Sequence, residues 1–273
     1  MRKYIVPICV FLLCTSARAQ TDTAFAYVDY AFWHMDDTTQ PHFPAARNYR
    51  LYLGRKMSAY VDHGQMVAVM RTMDNPQVQA DAAFFADTKK LLMRSGIFKN
   101  TENNLLTFVA PAGLNTYLIE EPVPEIKWEI TGETKDIQGY ACQKATCLFR
   151  GRNYEAWFCA ALPYNNGPWK LGGLPGLILE AYDVNKDVKF SFVAFGKGSD
   201  IPSFSIPQGM EKTTAKAYRQ YIDAMNKDTK AMLGAATASG GRVVMGGSSS
   251  SAGGPPKRTK ILNNPLEKID TSK

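Results

Sequence analysis

The chain has 273 residues, 45% of them hydrophobic and 21% charged, with a formal net charge of +7. That composition supplies a core and excludes a chain too polar to fold. Its 25 acidic residues are interspersed among 32 basic ones, which excludes a dedicated nucleic-acid surface, where charge clusters. No apolar run reaches the roughly 20 residues of a membrane-spanning helix.

Met1-Arg2-Lys3 is a basic leader, Ile5 to Leu13 is apolar, and Ala17-Arg18-Ala19 is a small-x-small cleavage signature. This pattern predicts an export signal over residues 1–19, cleaved after Ala19. A lipoprotein reading would use Cys14, but Leu12-Leu13 ahead of it are not small. Removing Arg2, Lys3 and Arg18 with no acidic residue takes the formal charge from +7 to +4. The mature chain is expected in the periplasm or at the outer membrane, as one β-rich domain over 20–235. A flexible Gly/Ser linker over 236–260 and a C-terminal tail over 261–273 follow.

Phe25, Tyr27, Phe32 and Trp33 mark a first extended segment, followed by an Asp/Thr/Pro-rich loop from Asp36 to Pro44. Tyr49 to Leu53 and Met57 to Val61 read as a hairpin around Gly54-Arg55-Lys56. The three histidines, His34, His42 and His63, fall in or beside this region. His34, Asp36 and His42 offer imidazole and carboxylate donors, but no tight ligand pair is present, and an exposed polar loop accounts for the segment. Helical spacing of Met66, Met70 and Met73 and the formers around Phe84 to Leu92 predict helix between residues 65 and 94, broken at Asn75-Pro76. Leu105 to Val109 and Asn115 to Glu120 are strands flanking Pro111-Ala112-Gly113.

Between Gly139 and Leu162, two apolar runs flank a turn around Gly151-Arg152-Asn153. A register that sets Phe149 opposite Trp157 also sets Cys147 opposite Cys159, and it predicts a Cys147–Cys159 disulfide with Cys142 unpaired. Gly172, Gly173 and Gly176 permit positive φ in a corner that launches the strand Leu177 to Tyr182. Asp183 to Asp187 is a turn, and Val188 to Phe195 returns as a half-buried strand. Pro207 to Leu233 has one apolar side and reads as a helix.

The order of Ile137, Gly139-Tyr140, Cys142, Lys144-Ala145, Gly151-Arg152, Tyr154, Ala156-Trp157, Gly167-Pro168-Trp169-Lys170 and Gly173 to Ile178 resembles the GLPGLI family, secreted proteins of Bacteroidetes. The densest motif lies within residues 126–195. Cysteines stand at 147 and 159 where relatives carry threonine-like residues. The resemblance implies export and a β-rich fold and no particular reaction; a likeness to the curved sheets of lipoprotein carriers is an analogy beside it.

The fold class expected is therefore α+β, predominantly antiparallel: a curved, half-barrel-like sheet with one or two packing helices. No phosphate loop, dinucleotide fingerprint, nucleophile elbow or zinc-protease helix is present. The glycines near Leu174 precede a strand rather than a helix N-terminus, so they form no phosphate cradle. Aromatic richness with few catalytic groups points to a non-catalytic envelope protein that binds a hydrophobic ligand or an outer-membrane protein partner. Candidate ligand-binding residues are Trp128, Trp157, Trp169, Arg152 and Lys170, with no cofactor and no metal. The alternative is a hydrolase or metal-dependent enzyme using Cys142 or the His34/His42 region.

Overall fold

The computed structural model of the chain describes residues 21–63, 95–112, 115–198, 203–225 and 263–268. The leader, the helical pattern over 65–94 and the linker lie outside the described residues. What is described is a mostly antiparallel, open sheet in which the strands run β13-β6-β5-β4-β3-β2-β1-β11-β10-β9-β8-β7, with β12 also pairing β1. The predominantly antiparallel α+β architecture is that expected from the sequence.

Two meanders build it. The first contains β1 (Thr21–His34), β2 (Ala45–Gly54), β3 (Met57–Asp62), β4 (Gly96–Asn100), β5 (Leu105–Ala112) and β6 (Asn115–Pro122). The second contains β7 (Glu129–Ile137), β8 (Tyr140–Phe149), β9 (Arg152–Cys159), β10 (Leu177–Asp183) and β11 (Val188–Lys197). Long β1 joins them by pairing with β2 on one side and β11 on the other, so the last strand of the second meander closes on the first strand of the chain. Short β12 (Ser203–Ser205) and β13 (Glu211–Thr213) complete the set.

Alternation sorts side chains into two layers, because successive strand residues face opposite sides. Leu51, Leu53 and Tyr60 join a large core with Val28, Tyr30, Phe158, Leu177 and Phe190. Tyr52, Ala59 and Val61, which alternate with them, join a smaller core with Phe98, Leu118 and Phe204. β3, all six residues of which are buried, is thus covered on both faces.

Two sequence expectations change. The helix read from Pro207 begins later, because Glu211–Thr213 pairs parallel with β6 as β13. Thr214 then caps helix α1, described over residues 215–225: its Oγ1 accepts from the Ala217 amide at 3.1 Å. Tyr218 of α1 donates its hydroxyl to the Pro111 carbonyl at 2.7 Å, laying the helix across β5 and β6.

The β8–β9 register also differs. Its turn has two residues, Arg150 (φ 50°) and Gly151 (φ 75°), both left-handed. Such a turn matches the right-handed twist of the flanking strands. Phe149 therefore faces Arg152, Lys144 faces Trp157, and Cys147 faces Tyr154. Cys147 and Cys159, expected to face one another, are out of register, with Cys147 opposite Tyr154, and Cys142, Cys147 and Cys159 are all thiols in this structure.

Candidate functional site

The glycine-rich corner positions the site, mostly by close packing rather than by backbone conformation. Of Gly172, Gly173 and Gly176, only Gly173 has positive φ, at 95°. A side chain at Gly176 would collide with the Cys159 carbonyl, and one at Gly167 would reach within 2.9 Å of Ile178. The corner is thereby pressed onto the ends of β9 and β10. It presents Trp169, itself left-handed at φ 56°, a conformation held by its surroundings. The indole stacks on Phe190 of β11, with centroids 6.4 Å apart and planes 11° apart, and meets Phe149 edge-on at 5.6 Å.

Trp169 forms one wall of an apolar cavity of about 150 Å³. Phe32, Tyr49, Tyr60 and Phe190 supply rings from the centre of the sheet, Ile97 and Phe108 come from β4 and β5, and Leu266 of the tail closes one side. Tyr49 and Tyr60 stack at 4.7 Å, which fixes that wall. The Tyr60 hydroxyl is buried and has no hydrogen-bond partner among the described residues. Burial pushes its pKa well above 10.0, with further upward contributions from Tyr49, Tyr30 and Asp62, so it stays a phenol.

Leu266 is held by a dense polar clamp. Arg152, 3% exposed, donates from Nη1 to Asp183 Oδ2 (2.6 Å), from Nη2 to Asn264 Oδ1 (2.6 Å) and the Pro265 carbonyl (2.7 Å), and from Nε to the Leu266 carbonyl (3.2 Å). Asp183 accepts the Val188 amide through its other oxygen at 3.0 Å, so the guanidinium ties the β10–β11 turn to the tail. Asn263 and Asn264 donate their amides to the Asp36 carbonyl, and Lys268 donates its amide to the Arg150 carbonyl. Lys170, 7% exposed, bridges Glu121 (2.8 Å) and Glu267 (2.5 Å) while its ammonium sits 4.3 Å from the Phe108 ring centroid.

Of the five residues expected to bind a ligand, Trp169 lines the cavity, while Arg152 and Lys170 act through the tail. Trp128 donates its indole to the Gly172 carbonyl at 2.8 Å and braces the corner from outside. Trp157 stands on the face of β9 opposite Tyr154, which packs near Trp169; its indole donates to Tyr182 and lies under the Lys135 ammonium. The residues that sequence reasoning missed are Phe32, Tyr49, Tyr60, Ile97, Phe108 and Phe190. Their alternation in strands was a signal; which strands curve toward one another was not.

The catalytic alternatives meet poor local chemistry. The Cys142 thiol is pushed up to about 12 by burial and then by neighbouring Cys159, opposite to the depressed value a nucleophile needs. Buried His34 lies beside the Arg152 clamp, whereas His42 is exposed on the 36–44 loop. Among the described residues no three His, Cys, Asp or Glu side chains are grouped to hold a metal ion.

Residues 120–208 match the domain family described as "N-glycanase peptide, N-terminal domain", a span that contains most of the motif block. Crystal structures of PNGF-II in space groups P21 and C2 superpose on the chain with TM-scores of 0.51 and 0.50 at 16% identity. Each alignment covers 75% of this chain but 33% of PNGF-II, so the chain spans about a third of that protein's length and shares its fold there. No curated protein matches the sequence.

Proposed function

We propose that the chain is an exported, non-catalytic envelope protein of the GLPGLI type that takes an apolar chain into the cavity between Trp169, Phe32, Phe108 and Leu266. The observation that carries this reading is an apolar cavity with a buried hydroxyl beside it, that of Tyr60, which has no hydrogen-bond partner among the described residues. Apolar lining with a sparse polar group is how sites for amphiphilic small molecules are built. The N-glycanase activity named for the matching domain family is not needed here, since that description is of an N-terminal domain and the chain spans a third of PNGF-II.

Size decides what the cavity can take. At about 150 Å³ it is below the roughly 300–1,000 Å³ of sites that enclose whole drug-sized molecules. It suits the end of an acyl chain. Four buried methylenes at ~0.8 kcal/mol each would contribute about 3 kcal/mol, whereas micromolar affinity needs about 8 kcal/mol. The rest of such a ligand must therefore lie along the mouth, where the tail now sits.

A fluorescent acyl probe, dansyl-undecanoic acid, titrated into the full chain tests this. Saturable one-to-one binding is expected, and Ile97→Trp, which fills the cavity from the half-buried wall of β4, should weaken it at least tenfold with an unchanged circular dichroism spectrum. Equal binding by the filled variant would reject the cavity as the site.

A further inference from the structure

Hairpin β8–β9 brings together two cysteines that are not those the sequence pairs. The ladder from the Arg150-Gly151 turn runs Phe149↔Arg152, Leu148↔Asn153, Cys147↔Tyr154 and on to Gln143↔Phe158. One further step, still inside both strands, sets Cys142 opposite Cys159. The pair that closes a two-residue turn is hydrogen-bonded, and pairs alternate thereafter. Cys142 and Cys159 lie seven steps from that closing pair and so form a non-hydrogen-bonded pair. There the Cα atoms approach to about 4.5 Å and the side chains rise on one face. That spacing falls inside the roughly 4.4–6.8 Å window of disulfides.

We propose that Cys142 and Cys159 form a cross-strand disulfide and that Cys147 remains the free thiol. Both partners are almost completely buried, Cys142 at 2% and Cys159 at 0% exposure, and Cys159 is close enough for its charge to act on Cys142. Cys147 is buried too, at 8% exposure, but it faces Tyr154, and alternation puts its side chain on the other side of the sheet. The oxidant is a small-molecule or protein disulfide. The Cys142 thiolate attacks it and releases one thiol, then the Cys159 thiolate attacks Cys142 Sγ in the mixed disulfide and expels the second. Two protein thiols become one S–S bond, the donor's S–S bond becomes two thiols, and the two protons pass to those products.

Burial also sets when the bond forms. With the Cys142 thiol near 12 in the fold, only roughly one in ten thousand is thiolate at pH 8. The reduced native protein therefore oxidises slowly and the unfolded chain quickly, so the bridge is made during folding. Of the five cysteines, the three outside the leader fall on three tryptic peptides, Asp136–Lys144, Ala145–Arg150 and Asn153–Lys170, which makes the pairing directly readable.

The test is refolding of the chain from Gln20 onward, which carries only these three cysteines, with oxidised glutathione, alkylation without reduction, and peptide mass mapping. The expected result is Asp136–Lys144 linked to Asn153–Lys170, two hydrogens lighter than the sum of the reduced peptides, with Cys147 alkylated. Cys147→Ser should lose both remaining thiols to the same bridge, and Cys159→Ser should keep both of its thiols. A bridge containing Cys147, or quantitative alkylation of Cys142 and Cys159 after refolding, would overturn the proposal; the wild-type map decides even if a variant fails to fold.

Discussion

Arg152 shows what one residue does in this fold. Its guanidinium is almost wholly out of water, yet Asp183, Asn264 and two tail carbonyls engage Nε, Nη1 and Nη2. Such a buried pair adds little over an apolar replacement of both partners, but removing one partner leaves a charge stranded. Arg152→Met should therefore lower stability by about 3–5 kcal/mol, read as a shift in the urea midpoint. A midpoint shift equivalent to under about 1 kcal/mol, the level of an exposed pair, would mean the clamp is solvated.

His34 lies beside the same clamp, and its Nε2 has no hydrogen-bond partner among the described residues. Burial lowers its pKa from 6.5, and the Arg152 charge lowers it further against weaker opposite pulls from Asp36, Asn264 and Asp183. The folded state therefore binds this proton less readily than the unfolded chain does. The stabilisation is complete above about pH 6.5 and is lost as pH falls toward the folded value. His34→Gln should flatten the melting temperature between pH 7 and 5 relative to wild type; parallel curves for the two proteins would exclude His34 as the source.

At the scale of elements, the tail behaves as a separable strap. Residues 263–268 hold the cavity's side through Leu266, and their anchors are the β8–β9 turn, Lys170 and the loop after β1. A side chain at Gly151 would strike the Lys268 backbone, so the docked tail needs glycine at this turn position. Truncation after Ser251 should lower the melting temperature and yet tighten dansyl-undecanoate binding several-fold, because Leu266 no longer occupies the mouth. Weaker binding by the truncated chain would instead make the tail part of the ligand's seat.

The elements were unevenly legible. The β2–β3 and β10–β11 hairpins follow from alternation around turn residues. By contrast β4, β7 and β13 are short or polar: Glu129–Ile137 carries charges because much of this edge strand is exposed, and Glu211–Thr213 holds too little apolar pattern to oppose a helical reading. The β8–β9 register failed for a sharper reason. Arg150 gives no compositional sign of a left-handed turn residue, and moving the turn by a residue or two redirects every cross-strand pair, cysteines included. The same limit applies to the cavity, whose rings are visible one strand at a time.

For the whole molecule, the Cys142–Cys159 bridge would staple the second meander. A loop of that size stabilises by about 3 kcal/mol in the chain-entropy model. Among the described residues the sheet ends at β13 and β7, and Leu266 of the tail and Trp169 of the corner both line the cavity. Curvature turns scattered aromatic positions into one cavity, and that cavity is the basis of the binding reading. The most direct measurement is quenching of tryptophan fluorescence by a fatty acid brominated near its terminal methyl. Trp169 lies in the cavity wall, whereas Trp128 and Trp157 lie outside it. Saturable quenching in the wild-type chain that disappears in Trp169→Phe is the result predicted. Equal quenching of the two proteins, or none in either, would contradict an acyl chain bound beside Trp169.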